Sequence, residues 1–207
     1  MTGAMEWISN FLYAAMLAGV PLLYGTLGEI LTEKAGNVNL GVEGMMYMGA
    51  VFGFMGAYYL DSAAAALLFA FLGGLGGALV YAFLTVTLKA NQNVAGLTLT
   101  IFGTGLANLL GTNMVNASGS GAAMVSDSIK AIFRPLDMGA LTALPYAGKL
   151  LFNHSILTYL GIVLAVGAGW YLNHTRKGLN LRAVGENPGA ADAAGVNVSL
   201  YKYVHTL

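Results

Sequence analysis

Cysteine is missing from this 207-residue chain, which excludes disulfides, thiolate metal sites and a cysteine nucleophile together. Charge is scarce as well: Asp, Glu, Lys and Arg make up 9% of the residues, against about 25% in an ordinary soluble domain. So small a supply cannot cover a water-exposed surface, and lipid is the solvent for most of the chain. The formal net charge of +0 gives no ground for a nucleic-acid partner or an acidic substrate. No Lys or Arg precedes Lys34, so the amino terminus lacks the basic flank of a secretory signal and its apolar stretch reads as a retained helix. Nowhere do glycines lead into Lys and then Ser or Thr as in a phosphate-binding loop, so any ATP hydrolysis falls to a partner. The three histidines, His154, His174 and His205, lie far apart without ligand spacing and read as membrane-interface residues, not metal ligands. No cofactor, metal site or catalytic constellation is expected.

What is present is hydrophobic, 57% of the chain. A helix needs about 20 apolar residues to cross a bilayer core, and five stretches qualify: about Trp7 to Ile30, Val42 to Leu60, Ala63 to Leu88, Val94 to Leu110 and Ile156 to Leu172. The fold class is therefore all-α, a polytopic helical membrane protein forming a single domain over residues 1–207. Residues 111–151 are polar and turn-rich, with Asp127, Lys130, Arg134, Pro135, Asp137, Pro145 and Lys149, and read as an extramembrane loop with a short helix near Ser126 to Phe133. Residues 173–200 form a second polar segment, after which Tyr201, Tyr203 and Val204 suggest the start of a sixth span. An ending at Leu207 so soon after that start suggests a truncated product. The short basic turns at Lys34, at Lys89 and from Arg176 to Arg182 alternate with the amino terminus and the long loop, so the positive-inside rule places those turns in the cytoplasm and the loop outside.

Small residues four apart let helices approach closely in lipid, and three seams fit that pattern: Gly49, Gly53 and Ala57; Gly73 and Gly77; Gly161, Ala165 and Gly169. Two carboxylates, Glu29 and Glu43, lie in or beside apolar spans, where they should face protein or a watery cavity. The stretch from Gly36 to Gly44 holds Asn37, Asn39 and Glu43 and admits two readings. One is a broken helix beside a transport path; the other is a cytoplasmic turn with Glu43 favoured by the dipole of the helix that follows. In the later segment, Asn187 can cap a helix, Pro188 suits its first position and Gly195 can end it. A two-turn helix there is either a docking knob or an ordinary capped surface helix.

The segment GEILTEKAGNVNLGVEGMMYMGA, Gly28 to Ala50, resembles the opening signature of permeases in the branched-chain amino acid, ribose and nucleoside branch of ABC importers. The segment Gly178 to Val198 resembles their cytoplasmic coupling loop, with Arg182, Gly185, Glu186, Asn187, Pro188, Ala191 and Gly195 in order, and ANQNVAG, Ala90 to Gly96, is similar to a third family marker. The form AGNVNLGVEGMM is most similar to the nucleoside and simple-sugar branch. The resemblance implies a bacterial plasma-membrane subunit that works with ABC ATPase subunits, a second permease subunit and an extracytoplasmic solute-binding protein. It implies that Glu186 to Gly195 meet the ATPase and that Asn37 to Gly44 line or gate the path; Asn39, Glu43 and Asn93 are candidate solute contacts by their position beside apolar spans. An ion-coupled secondary transporter using Glu29 or Glu43 is the alternative.

Overall fold

In the computed structural model, residues 2–119, 121–136, 139, 142, 144 and 147–207 are described; Ser120, Asp137 and Pro145 of the long loop lie outside that set. Among the described residues the regular structure is helical throughout. Helix α1 (Thr2–Lys34) has 33 residues and so is about 50 Å long, well over a bilayer core. A turn leads to α2 (Val42–Leu60), and a bend at Asp61, in the left-handed region at φ 46°, reverses the chain into α3 (Ala63–Ala82). Ser62 caps α3 by accepting a bond from the Ala65 N–H at 3.4 Å. A π-helical turn, Phe83–Thr87, ends that span.

Helix α4 (Gln92–Ala117) starts at the Asn91 cap and runs beyond Leu110, so the first residues of the 111–151 segment continue the fourth helix. The short helix expected in the loop is α5 (Asp127–Ile132), and a second, α6 (Ala147–Phe152), precedes α7 (Ile156–His174). The chain then forms α8 (Arg176–Glu186), α9 (Pro188–Ala193) and α10 (Val198–Thr206).

Among the described residues, four helical segments are long and apolar enough to cross a membrane: Gly3–Lys34, Ala63–Thr87, Gln92–Ala117 and Ile156–His174. Helix α2, the remaining expected span, has 19 residues, about 28 Å, and is antiparallel to α3 along most of its length. Large apolar side chains point outward: Trp7, Phe71, Ile101, Val166 and Trp170 are all more than 60% exposed. Such a surface would drive aggregation in water, whereas hydrocarbon solvates it.

The contact between α2 and α3 is instead made of small residues and close backbones. A Cβ on Gly56 would sit 2.8 Å from the Ala65 carbonyl oxygen, one on Gly53 2.8 Å from the Ala70 Cβ, and one on Gly49 3.0 Å from the Ala70 oxygen. These contacts walk down α2 as they walk up α3, and Gly73 and Gly77 return them against Phe52 and Met45. The two expected seams therefore interlock with each other. In the third, Gly161 rests on Leu23 and Tyr24 of α1, whereas Gly169 has no neighbour within 4 Å.

The three basic turns gather at one end of the bundle, where Gly36, Gln92 and Gly185 meet. At the other end Ser126 donates to Asp61 at 2.5 Å and Lys149 to Asn10 at 2.6 Å. There the exposed Lys130 ammonium, bonded to Asp127 at 3.0 Å, holds that carboxyl below its usual range.

Candidate functional site

The connection from α1 to α2 begins where Gly36 turns left-handed, φ 79°, a conformation that a side chain would strain. Its main-chain groups are then gathered by side chains from three other helical segments. Tyr81 of α3 donates its hydroxyl to the Val38 carbonyl at 2.6 Å. Gln92, the first residue of α4, accepts the Val38 N–H at 2.8 Å and donates to the Gly36 carbonyl at 3.2 Å and to Asn37 Oδ1 at 3.4 Å. Thr100 donates to the Leu40 carbonyl at 2.8 Å, and Glu29 accepts the Asn39 N–H at 2.8 Å. Irregular backbone survives near a membrane only when its polar groups are paired in this way. The second carboxylate oxygen of Glu29 is enclosed without a partner.

Glycine permits the approach that makes these bonds possible. A Cβ on Gly96 would lie 2.8 Å from the Leu40 nitrogen, and Gly44 and Gly103 place the backbones of α2 and α4 in direct contact. Within Gly36 to Gly44 the backbone is non-helical up to Gly41, α2 starts at Val42 and Glu43 stands exposed in its first turn, a geometry common to both readings of this stretch.

The later segment is built against this turn. Thr175 caps α8 by accepting the Gly178 N–H at 2.9 Å, and Leu181 and Val184 are fully buried. Gly185 packs on the Lys34 carbonyl and on Gly36, whose virtual Cβ lies 3.1 Å from the Gly185 Cα. Arg182 is half-buried, its Nε enclosed without a partner. Asn187 then caps α9 by accepting the Ala190 N–H at 3.0 Å, Pro188 opens the helix, and Gly195 turns left-handed after it, φ 83°. Glu186, Asn187, Pro188 and Gly195 are exposed, whereas Ala191 faces inward at 4% exposure. Helix α10 closes the group: Asn37 Nδ2 donates to Thr206 Oγ1 at 3.4 Å, and the Tyr171 hydroxyl lies 2.7 Å from His205 Nε2.

The structure thus brings the three motif-bearing segments of the sequence to one place. It does not give the four path candidates a common character. Asn37 and Asn39 are buried, and their side chains are engaged within the protein, Asn39 accepting the Gly41 N–H at 2.9 Å and donating to Met45 Sδ at 3.6 Å. Glu43 and Asn93 are exposed. Sequence reasoning passed over Tyr81, Gln92 and Thr100, and the one available signal was the position of Gln92 inside the ANQNVAG marker.

A cavity of about 660 Å³ opens between α1, α2, α3 and α10, walled by Tyr24, Met45, Met46 and Phe71. Its polar lining groups Thr32, Asn39 and His205 are already bonded to protein partners. No group of His, Asp and Glu able to hold a metal occurs among the described residues.

Residues 10–206 match the family model described as branched-chain amino acid transport system / permease component. The chain is 36% identical to a candidate glucose ABC transporter permease of Haloferax volcanii, over 97% of this chain and 59% of that one. It is 35% identical to a nucleoside ABC transporter permease of Lactococcus lactis, over 93% and 61%, and 30% identical to a guanosine ABC transporter permease of Bacillus subtilis, over 97% and 63%. It therefore spans between 59% and 63% of the length of these curated relatives. No solved structure matches it. A membrane-crossing helical chain whose matched region runs almost end to end belongs to the family of branched-chain amino acid transport system permease components.

Proposed function

We propose that this chain is a plasma-membrane permease subunit of an ATP-driven importer for a small polar solute, a nucleoside or simple sugar. The solute class follows the names of the relatives, and the ATPase, a second permease subunit and a solute-binding protein are the partners that the family resemblance implies. The observation that carries the reading is α9. It is a capped helix of 6 residues, exposed at Glu186, Asn187 and Pro188, and its supporting helix α8 rests directly on the turn between the first two helices. Such a knob gives an external motor a grip, and Gly185 joins the grip to the bundle.

In this reading Glu186, Asn187, Pro188 and Gly195 form the ATPase-facing surface, while Arg182, Gly185 and Ala191 hold that surface to the bundle. Asn37 and Asn39 shape the turn, and Glu43 and Asn93, with exposed polar side chains, are the residues available to solute. The permease makes and breaks no covalent bond: ATP binding and hydrolysis in the partner displace the knob, and the bundle opens to one side at a time.

The test is uptake of radiolabelled guanosine and of glucose by proteoliposomes holding the complete complex. Uptake that needs ATP and is lost when Asn187 and Pro188 are both replaced by Asp supports the reading. Uptake that ignores ATP and collapses with the proton gradient would select the ion-coupled alternative.

A further inference from the structure

We infer that Gln92 is a positioning residue for coupling: it clamps the α1–α2 turn to the start of α4, so that displacement of α8 reaches α4 instead of being absorbed in the turn. This rests on the proposed reading that an external ATPase moves α9.

The geometry runs through adjacent atoms. Gly185 of α8 touches the main chain of Lys34 and Gly36 with no side chain between, so a shift of α8 arrives at the backbone of Gly36. From there the connection to α2 is irregular for several residues and, unsupported, would bend. The Gln92 amide grips it at three points, the Gly36 carbonyl, Asn37 Oδ1 and the Val38 N–H, with bonds of 3.2, 3.4 and 2.8 Å. One of those points is the carbonyl of the very residue that Gly185 presses. Gln92 is also the first residue of α4, one of the helices long and apolar enough to cross the membrane, so a pull on its side chain acts on the end of a rigid rod. Tyr81, Thr100 and Gly96 hold Val38, Leu40 and Gly41, farther along the turn and away from the α8 contact. They keep the turn folded without Gln92, but none of them bonds Gly36. Folding is thus redundantly secured, whereas the link from Gly36 to α4 is not.

The experiment compares the wild-type complex with Gln92→Ala and Gln92→Glu in proteoliposomes, measuring solute moved per ATP hydrolysed with guanosine and glucose as probes. Gln92→Glu keeps the volume and the acceptor for the Val38 N–H and, ionised, loses both donors. Expected for both variants is a ratio lowered about tenfold, the loss of two or three hydrogen bonds, with ATPase rate, solute KM and amount of assembled complex unchanged. A residue that merely stabilised the fold would lower complex amount, ATPase and uptake in proportion. Should Gln92→Ala fail to assemble, Gln92→Glu decides, and a wild-type ratio in it overturns the inference. Wild-type vesicles that move solute without ATP would overturn the proposed function and this inference together; a coupled wild type with equally coupled variants would overturn the inference alone.

Discussion

Replacing Gly103 by Ala adds one methyl group to α4 at its crossing with α2. The new Cβ would stand 2.6 Å from both the Cα and the carbonyl carbon of Gly44, with the carbonyl oxygen nearer still. Ordinary contact begins near 3.4 Å, and because these atoms are main chain no rotamer can relieve the clash. The helices must separate by nearly 1 Å, a core-overpacking cost of about 1–3 kcal/mol. At about 2–4 °C per kcal/mol for a chain of this size, the melting midpoint should fall by roughly 2–12 °C. The comparison is Gly105→Ala on the same helix, where no atom lies within 4 Å. There the methyl group meets no obstacle, and the better helix propensity of alanine should leave the midpoint unchanged or raise it. Both variants would be expressed in membranes, extracted in mild detergent and melted while monodispersity is followed by size-exclusion fluorescence. Equal midpoints for Gly103→Ala and Gly105→Ala would refute the backbone crossing at Gly44.

Three further outcomes follow from other contacts. Asn187→Ala removes the cap bond to Ala190, a loss of about 1 kcal/mol, so hydrogen exchange at the Ala190 and Ala191 amides should quicken about fivefold while α7 is unaffected. Tyr81→Phe deletes the 2.6 Å bond to the Val38 carbonyl, and a cysteine placed at Val38, unambiguous in a chain without cysteine, should react faster with maleimide than in the Tyr81 background. Lys130→Ala should leave the melting midpoint unchanged at pH 7 in low or high salt, because its pair with Asp127 is exposed. Its removal should let the Asp127 carboxyl titrate at higher pH, visible by NMR of that side chain.

Local chemistry was legible where it acts over a few residues. The Asn187, Pro188 and Gly195 pattern predicts α9 because capping, a preset φ and a left-handed exit are properties of single residues. The seams of α2 and α3 were equally readable, since the small residues that make them recur at helical spacing. Helix α8 was not, because Gly178 and Gly185 lower its apparent propensity; those glycines answer to Leu172 and Lys34, which are distant in sequence or on another helix. The junction at Gly36 was hidden for the same reason. Each motif could be recognised alone, but nothing along the chain says that the partner of a turn glycine is another glycine near the opposite end. The polar side chains of Asn37 and Asn39 could be picked out beside apolar spans, but their bonds, to Thr206 of α10 and to the Gly41 N–H, could not be read from the sequence.

At Val38 and Leu40 the turn after α1 is held through its main chain, by the Val38 and Leu40 carbonyls and the Val38 amide. Peptide groups are the same whatever residue carries them, so the seat is blind to side-chain identity at Val38 and Leu40, both of which point outward. Those positions can be exchanged for other side chains while the joint keeps its shape, which makes them the place to engineer a new outer surface onto an unchanged mechanical hub.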